Sequence, residues 1–266
     1  MAAWATGGGR LRGRSDWWRP LRRRARAVDE IQVYNAEIAE PGQWTIQQHF
    51  NYAINGRKES DFPGGLVPNH ALNGTPELAW GIFDWWEMGW YAPFAFDQDG
   101  RFFSDGFKWR NLFVSPDAAK REFFYGVNFE ASYATPPFSQ TKYNLEIRPI
   151  LGVRKNGYEF IVNPIVDIGF GHDGEADFAP AARFAHNVKG DLWVGAEYYS
   201  DLGQIGNFLP LAEQQHNIYG VVDFKIGRFD VDFGVGYGLT GGSDRWMTKL
   251  IIGTDLNDPN IKNKKK

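Results

Sequence analysis

The sequence predicts an all-β chain folded as a single antiparallel, up-and-down transmembrane β-barrel of about 12 strands. Three observations predict it. Long segments alternate strictly between bulky apolar and polar or glycine positions, each is long enough to cross a bilayer as a tilted strand, and the connections between them alternate between short and long.

The strands read, in order, as 43–55, 72–83, 87–96, 104–114, 121–134, 141–153, 157–169, 177–188, 191–201, 212–224, 228–239 and 244–255. In the first, Trp44, Ile46, Phe50, Tyr52 and Ile54 share one face and Thr45, Gln47, His49 and Asn51 the other. In 121–134 the split is Arg121, Phe123, Tyr125, Val127, Phe129, Ala131 and Tyr133 against Glu122, Gly126, Asn128, Glu130 and Ser132, with Phe124 the one misfit on the polar side. The next strand separates Tyr143, Leu145, Ile147, Leu151 and Val153 from Lys142, Asn144, Glu146 and Arg148. In 228–239, Phe229, Val231, Phe233, Val235, Tyr237 and Leu239 oppose Asp230, Asp232, Gly234, Gly236 and Gly238. Period two puts alternate side chains on opposite faces of a sheet, so one face meets an apolar medium and the other a polar one.

Asn156-Gly157 is a strong two-residue hairpin signal, and folding there pairs Arg154 with Glu159 and Leu151 with Val162. The same register sets Pro149 opposite Pro164, where a bulge or break in the ladder is expected because proline has no N–H to donate. The connections DWW, SPDAAK, KNG, NVKGD and KIGR are short, while on the other side 56–71 and 202–211 are long, though TGGS there is short. With both termini on the short-turn side, the long loops face the exterior and the chain ends face the periplasm.

Composition fits a strand-built membrane protein. Of 266 residues, 11 are Trp, 11 Tyr and 21 Phe, yet mean hydropathy is -0.44 and no long apolar run exists, which excludes a transmembrane helix. There is no cysteine, hence no disulfide and no thiolate metal site.

Net charge is -3, and residues 1–27 hold eight Arg against the single acid Asp16; taking these from 29 basic and 32 acidic residues leaves 21 against 31, a net of -10. A basic face for nucleic acid is absent from that remainder. Residues 1–27 lack the apolar stretch of a signal peptide but end in Ala25-Arg26-Ala27, a small-x-small site, after which the composition changes. Two readings of this leader stand, a mis-assigned start before a mature end near Val28 or a disordered basic arm. The barrel then spans 28–256 and a Lys-rich tail 257–266.

Amphipathic rings favour a membrane boundary, so Trp44, Trp85, Trp86, Tyr158, Trp193 and Phe229 are assigned to a girdle at the short-turn end, with Phe224 beside them. The polar face then lines the lumen: Lys108, Arg110, Glu122, Asn128, Glu130, Glu146, Arg148, Asp167, Arg183, Glu197, Asp223, Asp230, Asp232 and Lys249 are the candidate solute path, with Glu77, Lys142 and Glu159 on the same face. Buried charges are costly unless paired or wetted, so either an ion-pair network plugs the barrel or water fills it. Asp223 and Asp230 are expected to face each other across the KIGR hairpin, and a wet lumen with excess acid favours cations.

His49, His70, His172, His186 and His216 show no metal-ligand spacing, and no GxSxG, phosphate-binding or dinucleotide motif stands in its required context, so neither a cofactor nor a metal is expected. The GVGYGL glycines lie within a strand, where they make room inside a barrel.

The segments TPELAWGIFDWWEMGWYAPF, FFYGVNFEASYATP, AEYYSDLG and GYGLTGGSDRWMTKLIIG resemble proteobacterial outer-membrane β-barrel proteins, specifically the group described as MetA-pathway phenol-degradation or porin/transporter proteins. The resemblance covers roughly residues 28–256 and implies an outer-membrane channel or transporter, not an enzyme, for passive uptake of small solutes, aromatic or apolar ones among them. It also implies outer-membrane lipids and the outer-membrane assembly machinery as partners beside the small-molecule solute. The chain departs from the usual barrel ending on a terminal aromatic, since TDLNDPNIKNKKK follows the last strand. Two alternatives remain: a plugged structural barrel, and a lipid-modifying enzyme on a twelve-stranded barrel with Ser200 and His216, which bracket the long 202–211 loop, as its lipid-facing pair.

Overall fold

The structure, a computed structural model, describes residues 31–257. Twelve antiparallel strands follow one another around a closed ring: β1 (Trp44–Asn55), β2 (Leu72–Phe83), β3 (Trp86–Tyr91 continued by Phe94–Phe96), β4 (Phe102–Ser104 continued by Phe107–Val114), β5 (Phe123–Tyr133), β6 (Tyr143–Lys155), β7 (Tyr158–Asn163 continued by Val166–Phe170), β8 (Ala176–Phe178 continued by Ala181–Lys189), β9 (Leu192–Asp201), β10 (Gln215–Ile226), β11 (Phe229–Gly238) and β12 (Trp246–Asp255). The ring closes through β1, where Ile46 is paired with Leu78 of β2 on one side and Thr254 of β12 on the other. Closure leaves no edge with unpaired backbone groups, which a strand structure crossing a bilayer requires.

The expected leader, its boundary near Val28 and most of the expected Lys-rich tail lie outside the described residues.

The interruptions have local causes. Pairing of β6 with β7 keeps one register on both sides of the gap, from Leu151↔Val162 to Ile147↔Val166, and the ladder lapses where Pro149 faces Pro164. Strand β6 runs through Pro149 unbroken and β7 stops, so the expected break falls on one strand alone. Pro93 and Pro180 mark the gaps of β3 and β8 in the same way. In β4 the gap at Asp105–Gly106 is a bulge: the partner register slips by one residue, with Gly106 at a φ of 72°.

One end of the ring carries tight turns. At Asn156–Gly157 the φ values of 54° and 79° match the twist of the flanking strands, and Arg154 pairs with Glu159 as the sequence predicts. The KIGR hairpin differs from expectation. Its turn uses only Gly227 and Arg228, with Gly227 at a φ of 61°, so the pairing closes tighter: Asp223 faces Asp232, and Asp230 faces Lys225. The opposite end carries the loops 56–71, 134–142 and 202–214.

Outside, the wall is apolar, with Leu151, Phe160, Phe184, Val194, Ile218, Phe233 and Val235 all exposed. Aromatic rings gather at both rims. Near the short turns Trp44 stacks on Trp80 at 5.5 Å, Trp85 on Trp86 at 6.2 Å and Tyr158 on His186 at 4.3 Å, with Phe229 exposed beside Arg228. The loop end has a second belt that the sequence reading did not place, including Phe96–Phe102 at 5.3 Å, Phe107–Tyr133 at 6.1 Å and Tyr237–Trp246 at 4.9 Å. Trp193 is the correction: as the Cα partner of Asp223 it stands on the inner face with Glu197 and lines a cavity. Phe224 also borders that cavity.

Candidate functional site

Alternation sends the charged half of each strand inward, and glycine lets those side chains cross the wall. Lys249 of β12 passes over Gly234 of β11, where an added Cβ would lie 3.1 Å from the lysine Cγ. Its Nζ then donates to Glu197 Oε2 on β9 at 2.5 Å and to Asp232 Oδ2 at 2.8 Å. Arg183 extends the network, donating to Glu197 Oε1 at 2.7 Å, to Glu159 Oε1 at 3.3 Å and to Asp223. Arg154 joins Glu159 at 2.5 Å, and Tyr199 donates to Glu197 at 2.6 Å.

A second cluster uses the same device. Arg110 of β4 crosses Gly89, whose missing Cβ would sit 2.7 Å from the guanidinium Nε. It donates to Glu77 Oε1 at 2.5 and 3.0 Å and to Glu87 Oε1 at 2.6 Å, while His49 Nε2 meets Glu77 Oε2 at 3.3 Å. Lys108 pairs with Glu130 at 3.0 Å, and Arg148 with Glu146 at 2.8 and 3.1 Å. Glu77, Glu87, Arg110, Glu197 and Lys249 are all buried, so each ion is compensated where water is scarce.

The remaining sequence-chosen residues divide between this interior and the exposed turn end. Asn128 is wholly buried and its side-chain amide takes no hydrogen-bond partner among the described residues. Asp167 of β7 is half-buried opposite Glu146. Glu122 and Asp230 are exposed at the turn end, paired with Lys155 at 3.2 Å and Lys225 at 2.9 Å.

Sequence reasoning missed the element that fills the barrel. Before β1 the chain turns back into the lumen, and residues 31–43 run from the turn end to Ile31, which packs with Ala53, Tyr219, Val221 and Met247 towards the loop end. Asn163 holds this strap by both backbone groups of Tyr34, accepting from its N–H at 2.7 Å and donating to its carbonyl at 3.1 Å. The Tyr34 hydroxyl meets that of Tyr91 at 2.8 Å, and its ring lies 4.3 Å from the Arg148 guanidinium and 5.7 Å from that of Arg110. Arg148 donates to the Gln32 carbonyl at 3.0 Å, and the Ala39 N–H donates to Glu87 Oε2 at 2.6 Å. Val33, Tyr34 and Ala36 form an internal apolar core with Leu112, Val114, Phe124, Ile150 and Ile161. That core explains Phe124, the misfit in the alternation: its inward ring packs under the strap.

Two cavities among the described residues border the strap. The larger, about 580 Å³, lies between residues 32–38 and strands β7 to β12, bordered by eight carboxylates (Glu37, Glu159, Asp191, Glu197, Asp223, Asp230, Asp232 and Asp255) against Arg183 and Lys225. The smaller, about 180 Å³, lies on the side of Glu77, Glu87 and Arg110. At the loop end, 56–71 reaches between opposite sides of the ring: Leu66 N–H donates to Pro137 O at 2.8 Å, and Arg57 N–H donates to Asp244 Oδ1 at 2.7 Å.

Solved barrels share this shape. The structure is similar to an outer-membrane channel of Pseudomonas putida F1, with a TM-score of 0.58 and 10% identity over 85% of this chain and 100% of that one. It is also similar to the NanC porin, with a TM-score of 0.54 and 8% identity over 81% and 100%. The likeness is one of fold. No protein-family model and no curated protein matches the sequence.

Ser200 and His216 are Cα partners on β9 and β10, but their side chains point their hydrogen bonds elsewhere. Ser200 Oγ donates to Pro180 O at 2.9 Å, while His216 Nδ1 meets Tyr198 Oη at 2.5 Å and Nε2 meets Gln214 Oε1 at 2.9 Å. A serine nucleophile needs the imidazole as its base, and this imidazole is engaged on both nitrogens.

Proposed function

We propose that the protein is an outer-membrane channel through which small solutes diffuse, standing in the membrane with its long loops outside and its turn end towards the periplasm. The observation that carries this reading is the inverted barrel: an exposed apolar wall between two aromatic belts, enclosing charged side chains and a cavity of about 580 Å³. Its contacts are then outer-membrane lipids around the wall, the assembly machinery that inserts it, and the solute within.

The carboxylate excess bordering that cavity favours cations, because a low-dielectric wall concentrates the field of its lining charges. A polar lining supports polar or cationic solutes ahead of the apolar ones that the sequence resemblance suggests. The solute path follows the strap side of the Asp223, Asp230 and Asp232 carboxylates, with Trp193 available to an organic cation. Planar-bilayer recording on the refolded full chain tests this: discrete steps with a cation-selective reversal potential are expected, and a folded barrel that passes neither ion nor small solute sinks the reading.

A further inference from the structure

We propose that residues 31–43 are a cis-acting ligand of the lumen, an autoinhibitory strap whose release from a built receptor opens the barrel. The strap is held as a bound peptide is held. Asn163 takes the N–H and the C=O of Tyr34 together, at 2.7 and 3.1 Å, which is the pairing an extended backbone offers to one amide side chain. Arg148 reads the Gln32 carbonyl and Glu87 the Ala39 N–H, so both backbone polarities are satisfied along its length. Tyr34 is the anchor, since its ring lies against two guanidinium groups and its hydroxyl meets Tyr91.

Three features mark it as a displaceable ligand. Its last two residues alone bond the ladder, Gly42 N–H donating to Gly81 O at 2.8 Å and Gly81 N–H to Gln43 O at 3.0 Å, while residues 31–41 contribute no strand, so the ring stays closed when they leave. Each of Arg110, Arg148 and Glu87 keeps a partner of its own on the wall or between strands, Arg110 with Glu77 and Glu87, and Arg148 with Glu146. The wall therefore remains electrostatically paired when the strap leaves. Finally, the strap lies between the cavity beside Asp223 and Asp232 and the one beside Glu77 and Arg110: Gln32, Asn35, Glu37 and Ile38 border both, and so do Thr45, Gln47 and Asp255 of the wall. Its departure joins the two.

The proposal rests on the channel reading for its electrical consequence, but the movement itself is measurable without current. Since the chain has no cysteine, single reporters are clean. Full-length protein carrying Tyr34→Ala is compared with the parent in planar bilayers, and Ala36→Cys is placed in both for labelling by a membrane-impermeant maleimide in lipid vesicles. Tyr34→Ala is expected to raise both the open probability and the rate of labelling by at least about tenfold, the factor that each 1.4 kcal/mol of lost anchoring gives. A second variant, Tyr34→Cys with Asn163→Cys, is expected to be closed when oxidised and to open on reduction.

Unchanged labelling and unchanged conductance in a folded Tyr34→Ala barrel overturn the strap, as does an oxidised double-cysteine barrel that conducts as well as its reduced form. Faster labelling of Ala36→Cys in a barrel that never conducts upholds a mobile strap and overturns the channel reading instead.

Discussion

Lys249 and Glu197 meet at 2.5 Å across two intervening strand positions of the barrel, neither side chain keeping appreciable contact with solvent. Lys249 also serves Asp232, and Glu197 also serves Arg183, so the pair sits within a network drawn from seven consecutive strands, β6 to β12. Lys249→Met takes the cation from Asp232 and leaves Glu197 with Arg183 alone, and the expected loss is about 3–5 kcal/mol of stability. Denaturant unfolding in lipid vesicles measures it. Adding Glu197→Gln is expected to return part of that loss, whereas strict additivity of the two changes would show that they do not act as a pair.

The exposed ring of Phe233 lies mid-strand on the outer wall, opposite Val222 and Leu250. If this wall meets hydrocarbon, Phe233→Arg costs about 2–4 kcal/mol in folding into vesicles, as arginine does near the midplane of membrane barrels. A water-facing position would tolerate the change, so an unaltered folding midpoint removes the membrane reading.

Asp223, Asp230 and Asp232 border the larger cavity on its acidic side. Replacing all three by Asn removes three negative charges while keeping nearly the same volume. The ratio of cation to anion permeability, read from reversal potentials in a salt gradient, is expected to fall. An unchanged ratio places the selecting charges elsewhere.

At the loop end Arg57 pairs with Asp61 inside the 56–71 loop and ties that loop to Asp244 beside β12. Burial alone would lower its pKa, but the two carboxylates outweigh that and hold it above the ordinary arginine value. Arg57→Ala is therefore expected to free the loop, seen as faster protease nicking within 56–71 at unchanged barrel stability, since no wall strand depends on it. Equal cleavage rates in parent and variant would show the loop held by its other contacts.

The Gly236 backbone lies under Tyr219, where an added Cβ would come within 2.4 Å of the ring. Gly236→Ala is expected to cost about 1–3 kcal/mol by overpacking a wholly buried tyrosine. Heat-modifiable gel mobility reports the drop in melting temperature, and the double variant with Tyr219→Phe is expected to stay low because the clash is with the ring.

The alternation of strands was legible because it is a local property. Each side chain between Phe123 and Tyr133 is sorted by its own position in a pleat, and the Asn156–Gly157 turn fixes its hairpin within a few residues. The inward glycines Gly89 and Gly234, each beside a long cation one strand away, were a readable sign of side chains crossing the wall. Trp193 was misplaced because its residue type was weighed above its parity, which already set it with Glu197. Asp223 and Asp230 were mispaired because a register follows from turn geometry, and KIGR turns on two residues where four were expected.

By itself the sequence determined the barrel: strand number, the face each side chain takes and the end at which the short turns lie, all set by period and punctuation along the chain. Only the tertiary structure decided what fills it. Tyr34 finds Asn163 at a separation of 129 residues, and residues 31–43 carry no periodic mark, so their place inside the lumen exists only once the wall around them has closed. Contacts of that reach are selected by the closed shape as a whole, through burial of Val33 and Ala36 against Phe124 and Ile150 and through pairing of groups that the wall had already gathered.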